Sequence, residues 1–210
     1  MKVLLVNGSP KPKGCTYTAL TEVAKTLNEE GIETEIFDVG AHPLSGCVAC
    51  RRCAGIGRCI FQDKVNEFRE FAEIADGFIF GSPVHYAAAG GTITSFMDRL
   101  FYSNAQSKKN TFYLKPAAAV FVARRAGSTA ALDQLNKYFT IAEMPVISSR
   151  YWNMVHGTTP EEVKQDLEGM QIMRILGRNM AWFLKCKEAG KKAGVPLPAR
   201  EEIQFTNFIR

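Results

Sequence analysis

The chain has no apolar run of membrane-spanning length, which excludes a helical membrane anchor within it. Met1-Lys2 leads directly into a strand-like run, without the charged and then apolar leader of a secreted chain. A cytoplasmic location is therefore expected. A strong charge of one sign is also missing. Lys and Arg number 26 against 21 Asp and Glu, a formal net charge of +5. So mild an excess does not mark a nucleic-acid binder. The densest basic stretch, Lys185 to Lys192, falls at a predicted helix end, where cations suit the negative end of the dipole. Neither nucleic acid nor membrane is expected as a partner. Internal repeats, low-complexity tracts and a clear domain boundary are absent as well.

Two phosphate signatures are missing too. A P-loop needs Gly-x-x-x-x-Gly-Lys-[Ser/Thr], but Gly14 is followed by Cys15, which argues against a nucleoside triphosphate. The Gly-x-Gly-x-x-Gly fingerprint of dinucleotide folds is not found either.

What the chain does have is an alternation of strand-like and helix-like segments. Strands are predicted at 2–6, 32–38, 77–81, 116–123 and 144–149. Helices are predicted from Thr16 to about Asn28, at 63–75, 92–102 and 127–142, and from Thr159 to about Ala189. Thr16 or Thr18 would cap the first helix, and Thr159-Pro160-Glu161-Glu162 opens the last. Residues 39–61, 82–91 and 151–157 read as loops. Such alternation predicts a three-layer α/β fold on a five-stranded parallel sheet. The expected organisation is one domain over 1–190, with a cysteine-rich loop at about 43–61, and a tail over 191–210. Ligands in such sheets sit outside the carboxyl ends of the strands, so the loops after the first, third and fourth strands should converge.

The first of these loops, Gly8-Ser9-Pro10-Lys11-Pro12-Lys13-Gly14-Cys15-Thr16-Tyr17-Thr18, sets hydroxyls, two lysines and a helix N-terminus around one point, where a phosphate fits. The second, Gly81-Ser82-Pro83-Val84-His85-Tyr86, offers a rigid proline and two rings to a flat ligand, or else serves as a buried connector. The third, Ala123-Arg124-Arg125-Ala126-Gly127, offers paired guanidinium groups to a phosphate or to the edge of a heterocycle. Asn153 and His156 face either the site or a partner subunit, and Trp152 suits an aromatic interface.

Six cysteines in a chain of this kind argue for metal or redox chemistry over a disulfide framework. Cys47, Cys50, Cys53 and Cys59 follow a C-x2-C-x2-C-x5-C spacing. Compact sets of four thiolates hold iron–sulfur clusters. Zinc, more often held by separated pairs, is the second choice, and a metal-free loop is a third. Cys15, at a helix N-terminus, has the setting of a thiol with lowered pKa, or else is a small side chain beside backbone N–H donors. Cys186, beside Trp182, Phe183 and Leu184, reads as a small packed residue.

Together the Gly8-Ser9-Pro10 loop, the Gly81 to Tyr86 loop and Phe96-Met97-Asp98-Arg99 resemble the NADPH-dependent FMN reductase family. Arg124-Arg125 and the Tyr151 to Gly157 segment resemble its iron–sulfur-flavoprotein-like branch. The resemblance covers roughly residues 1–190 and implies a flavodoxin-like fold, strand order 2-1-3-4-5, with bound FMN. It implies that Ser9, Lys11, Lys13, Thr16, Tyr17 and Thr18 hold the phosphate, with Cys15 among the cofactor-binding positions of that loop. The family commonly has Asn where this chain has Cys15. Pro83, Val84, His85 and Tyr86 would lie along the isoalloxazine ring, and Arg124, Arg125 and Gly127 would meet its pyrimidine side. The cysteine motif is similar to that of the iron–sulfur flavoproteins, implying a 4Fe–4S cluster. The implied activity is electron transfer from NAD(P)H through flavin to a small-molecule or protein acceptor, with no side chain needed as acid or base. The alternative is a non-enzymatic carrier reduced by ferredoxin. A homodimer or homotetramer is implied, with a redox partner protein possible for either function.

Overall fold

A computed structural model describes residues 1–107, 109–204 and 206. Five parallel strands form the sheet: β1 (Lys2–Asn7), β2 (Glu33–Asp38), β3 (Gly77–His85), β5 (Ala117–Ala123) and β6 (Met154–His156). Their order is β2-β1-β3-β5-β6, and a two-residue strand, β4 (Ala88–Ala89), pairs antiparallel with β3. With β4 set aside, this is the expected order.

Helices α1 (Cys15–Glu29), α6 (Pro160–Gln165) and α7 (Leu167–Lys192) cover one face. Helices α3 (Lys64–Ile74), α4 (Gly91–Ala105) and α5 (Ser128–Ile141) cover the other. A one-turn α2 (Cys53–Ile56) lies within the cysteine-rich segment.

The period-two geometry of a strand divides the core. In β1, Val3 and Leu5 pack towards α1 and α7, while Leu4 and Val6 pack towards α3 and α4. The second layer is rich in phenylalanine, with Phe68 and Phe96 meeting edge-on at 5.4 Å between ring centroids. On the other face Gly177 lets α7 approach α1, since a Cβ there would stand 2.9 Å from that of Thr26.

Several expectations are corrected. Segment 144–149 forms only one bridge, between Val146 and Ala117; the edge position is taken by Met154–His156, expected to be a loop. Val146 and Ile147 have strand character, but pairing further along β5 is supplied only after the chain leaves the sheet and returns, where Phe121 N–H meets the Asn153 carbonyl at 2.9 Å. Residues 82–85 continue β3 and then fold back as a hairpin through Tyr86 and Ala87. The last helix is broken at Asp166, whose carboxylate caps Gly169 N at 2.9 Å and accepts from His156 N at 2.7 Å. Neither Thr16 nor Thr18 caps α1; the N-cap is Gly14, with no side-chain hydrogen bond, and Thr18 Oγ1 instead donates back to Gly14 O at 3.1 Å. Among the described residues no helix is long and apolar enough to cross a membrane.

Candidate flavin site and cysteine pocket

The loop after β1 is shaped by Asn7, fully buried at the strand end. Its amide donates to Asp38 Oδ1 at 2.7 Å and to Pro12 O at 3.3 Å, and its Oδ1 accepts from Ser9 N at 3.2 Å. Ser9 Oγ accepts from Lys11 N at 3.1 Å. These bonds curl the loop back to α1. Gly8 and Gly81 let the β1 and β3 ends touch: Gly8 N donates to Gly81 O at 2.9 Å. A Cβ on Gly8 would stand 2.7 Å from that of Ile93, and one on Gly81 would stand 2.8 Å from Leu20 Cδ1.

The result is a cleft of about 170 Å³ lined by Ser9, Pro10, Lys11, Cys15, Thr16, Pro83, Val84, His85, Val122, Arg124 and Gly157. The three expected loops do converge, and Gly157, just beyond β6, joins them. The first N–H groups of a helix have no intrahelical partner. In α1 no side chain caps them, and no acid occupies the first turn to neutralise the dipole. The Thr16 hydroxyl oxygen is buried there without a partner. Orphan donors, an orphan hydroxyl and the Lys11 ammonium fit an anionic phosphate.

The other expected positions, Lys13, Tyr17, Thr18, Tyr86, Arg125 and Gly127, are outside the lining of this cleft. Gly127 packs on its far wall, where a Cβ would stand 2.9 Å from Val84 Cγ1. Tyr86 is fully exposed at the hairpin tip with φ of 59°, a left-handed conformation rare for an aromatic residue. Burial pushes the Cys15 thiol pKa up, outweighing its backbone hydrogen bond and Lys11, so the lowered value expected at a helix N-terminus is corrected. Cys186 is exposed, not packed. Asn7 and Asp38 were not singled out in the sequence; the only signal was a polar residue closing an apolar strand.

The cysteine segment forms a second centre. Cys47, Cys50, Cys53 and Cys59 line one pocket with Ile60, Phe61, Arg99 and Tyr102. Ala49 and Arg51 adopt positive φ, of 51° and 56°, so the backbone turns tightly between the first thiols. Burial, together with the neighbouring Cys50 and Cys47 sulfurs, pushes the Cys53 thiol pKa up. Among the described residues no three Cys, His, Asp or Glu side chains are grouped closely enough to hold a metal ion. The donor chemistry, four soft thiols with Arg51 and Arg99 and no carboxylate on the pocket wall, fits an iron–sulfur cluster, whose thiolates stand at the corners of a body larger than one ion. A larger cavity, of about 680 Å³, lies elsewhere, between α4, α5 and Arg200 and Ile203 of the tail, and reaches Cys47.

A parallel sheet in this order, with an anion socket at its strand ends, defines a flavodoxin-like flavoprotein. Solved structures agree on the fold. The chain overlays RosB bound to 8-demethyl-8-formylriboflavin-5'-phosphate with a TM-score of 0.69 at 14% identity, over 100% of this chain and 94% of that one. It overlays a WrbA-like flavodoxin from Agrobacterium tumefaciens at 0.62 and 12%, over 88% and 98%. Residues 1–159 match the model of the NADPH-dependent FMN reductase family, and the chain belongs to that family. An iron-sulfur flavoprotein of Methanocaldococcus jannaschii is 31% identical over 194 residues, 88% of this chain and 98% of the relative. Another from Clostridioides difficile is 30% identical over 136 residues, 63% of this chain and 59% of the relative.

Proposed function

We propose that this flavin-dependent oxidoreductase takes electrons from NAD(P)H with FMN as its resident cofactor and passes them to a small-molecule or protein acceptor, and that Cys47, Cys50, Cys53 and Cys59 would hold a 4Fe–4S cluster able to exchange single electrons with the flavin. The observation that carries the reading is the uncapped α1 N-terminus with its unpartnered Thr16 hydroxyl, opening on a cleft that three strand ends share. Bound FMN supplies the hydride and single-electron chemistry. The protein's own residues bind and orient. Ser9, Thr16 and the first N–H groups of α1 hold the phosphate, with Lys11 balancing its charge. Pro83 to His85 give a rigid strand edge for the ring, and Arg124 supplies donors to its pyrimidine side. The printed names of the curated relatives support the cluster, as does the four-thiol pocket. The proposed assembly is a homodimer or homotetramer, and the proposed location is the cytoplasm.

The test is a spectrum of anaerobically purified protein followed by reductant addition. Flavin bands with additional broad absorbance, iron and acid-labile sulfide, and bleaching by NADPH are expected. Zinc without sulfide sinks the cluster. A flavin that ignores NAD(P)H but is reduced by ferredoxin replaces the enzyme with the electron carrier.

A further inference from the structure

Arg99 sits in the middle of α4 with a side chain 1% exposed, an unusual place for a cation. Its guanidinium makes a two-pronged pair with Asp63, Nη1 to Oδ2 at 2.7 Å and Nη2 to Oδ1 at 2.9 Å. The third nitrogen, Nε, donates to Cys59 Sγ at 3.3 Å. Nη1 also reaches Ser45 O at 3.4 Å, and the group stacks 4.8 Å from the Phe61 ring. One side chain thus grips both flanks of the cysteine-rich segment and one of its thiols. The flavin cleft does not include it.

Burying a charge is expensive unless its partners are well placed. Asp63 alone would satisfy the charge; the Nε–H is spent on sulfur. A hydrogen bond and a positive charge beside a thiolate both stabilise the more negative, reduced form of a cluster. We propose that Arg99 is a positioning residue of the cysteine site, fixing the Cys59 sulfur and raising the reduction potential of the cluster, with Asp63 opposing it as the partial counter-charge. The inference rests on the cluster reading given above. The couple concerned is the one-electron reduction of the cluster, in which no bond forms or breaks.

The opposed charges make a signed test. Arg99→Gln, Arg99→Lys and Asp63→Asn are purified anaerobically in full-length holoprotein, and both couples are titrated spectroelectrochemically. Asn at 63 keeps an oxygen to cap α3, where Asp63 Oδ1 accepts from Val65 N at 3.2 Å. The cluster potential should fall in Arg99→Gln, fall less in Arg99→Lys, and rise in Asp63→Asn, with the FMN potential unmoved in all three. If Arg99→Gln loses its cluster, the signs for Arg99→Lys and Asp63→Asn decide. Equal potentials in a wild type and variants that all retain iron and sulfide, or shifts of one sign throughout, overturn the role of Arg99 alone. Wild-type protein without iron and sulfide overturns the cluster reading and the role of Arg99 with it.

Discussion

At the first turn of α1 the Thr16 hydroxyl oxygen has no partner. A buried polar atom left unpaired costs about 1–3 kcal/mol, which a phosphate donor or acceptor would recover. Thr16→Val should therefore leave the FMN-free protein as stable or more stable in urea, yet weaken FMN binding about tenfold, or ~1.4 kcal/mol, in a fluorescence titration. A merely structural hydroxyl would lower both. Cys15 gives a pH prediction. Its thiol pKa is raised in the fold by burial. Its stabilising share is present below the unfolded thiol pKa and is lost as pH rises through the folded one, because the unfolded chain ionises first. Cys15→Ser should flatten the alkaline decline of urea stability while changing it little at neutral pH. At this scale the sequence was informative where several polar residues follow a strand, as at Ser9, Lys11 and Thr16. It was silent where a side chain acts at a distance. Asp63 and Arg99 are 36 positions apart, and neither position's local pattern announces the other.

Among the elements, the broken final helix shows what local pattern misses. Neither Pro nor Gly interrupts residues 164–168, so periodicity runs straight through. The break is made by Asp166, which caps α7 and binds His156 N of the edge strand. It thereby brings the α6 N-terminus against Gly157, where a Cβ would stand 2.7 Å from Val163 N. Asp166→Ala removes a cap and a strand contact together, so a loss of about 1–3 kcal/mol is expected in thermal or urea unfolding. The predicted strand at 144–149 failed for a related reason. β-branched residues report fitness for a pleated surface, but the partner strand decides which fit segment pairs. By contrast β1, β2, β3, β5 and helices α1, α3, α4 and α5 were legible, because continuous apolar runs and one-faced stripes carry their own signal.

For the molecule as a whole, the cleft draws residues from the first turn of α1, from β3 and β5, and from the loops that follow β1, β5 and β6. Ligand binding there is linked to the fold of the entire sheet. FMN should raise the unfolding temperature in a concentration-dependent way, with a gain of about 2.7 kcal/mol at a hundredfold excess over Kd. A calorimetric series with FMN and with riboflavin, which lacks the phosphate, would separate the phosphate's share. Equal stabilisation by the two would remove the α1 N-terminus from the binding role.

Asn7 has one more consequence. Val3-Leu4-Leu5-Val6 is apolar on both faces, and sliding it along its neighbours by two residues would bury almost the same surface. Hydrophobicity therefore leaves the alignment of β1 ambiguous. The ends resolve it: Lys2 N–H is held by Asp76 and its ammonium by Glu35, at 2.8 Å each, while Asn7 is held by Asp38. A shifted strand would strand that amide inside the sheet and leave Asp38 unanswered. The residue that curls the phosphate loop is thus also the ruler of the sheet, and a chain aligned wrongly at its first strand cannot build the flavin socket.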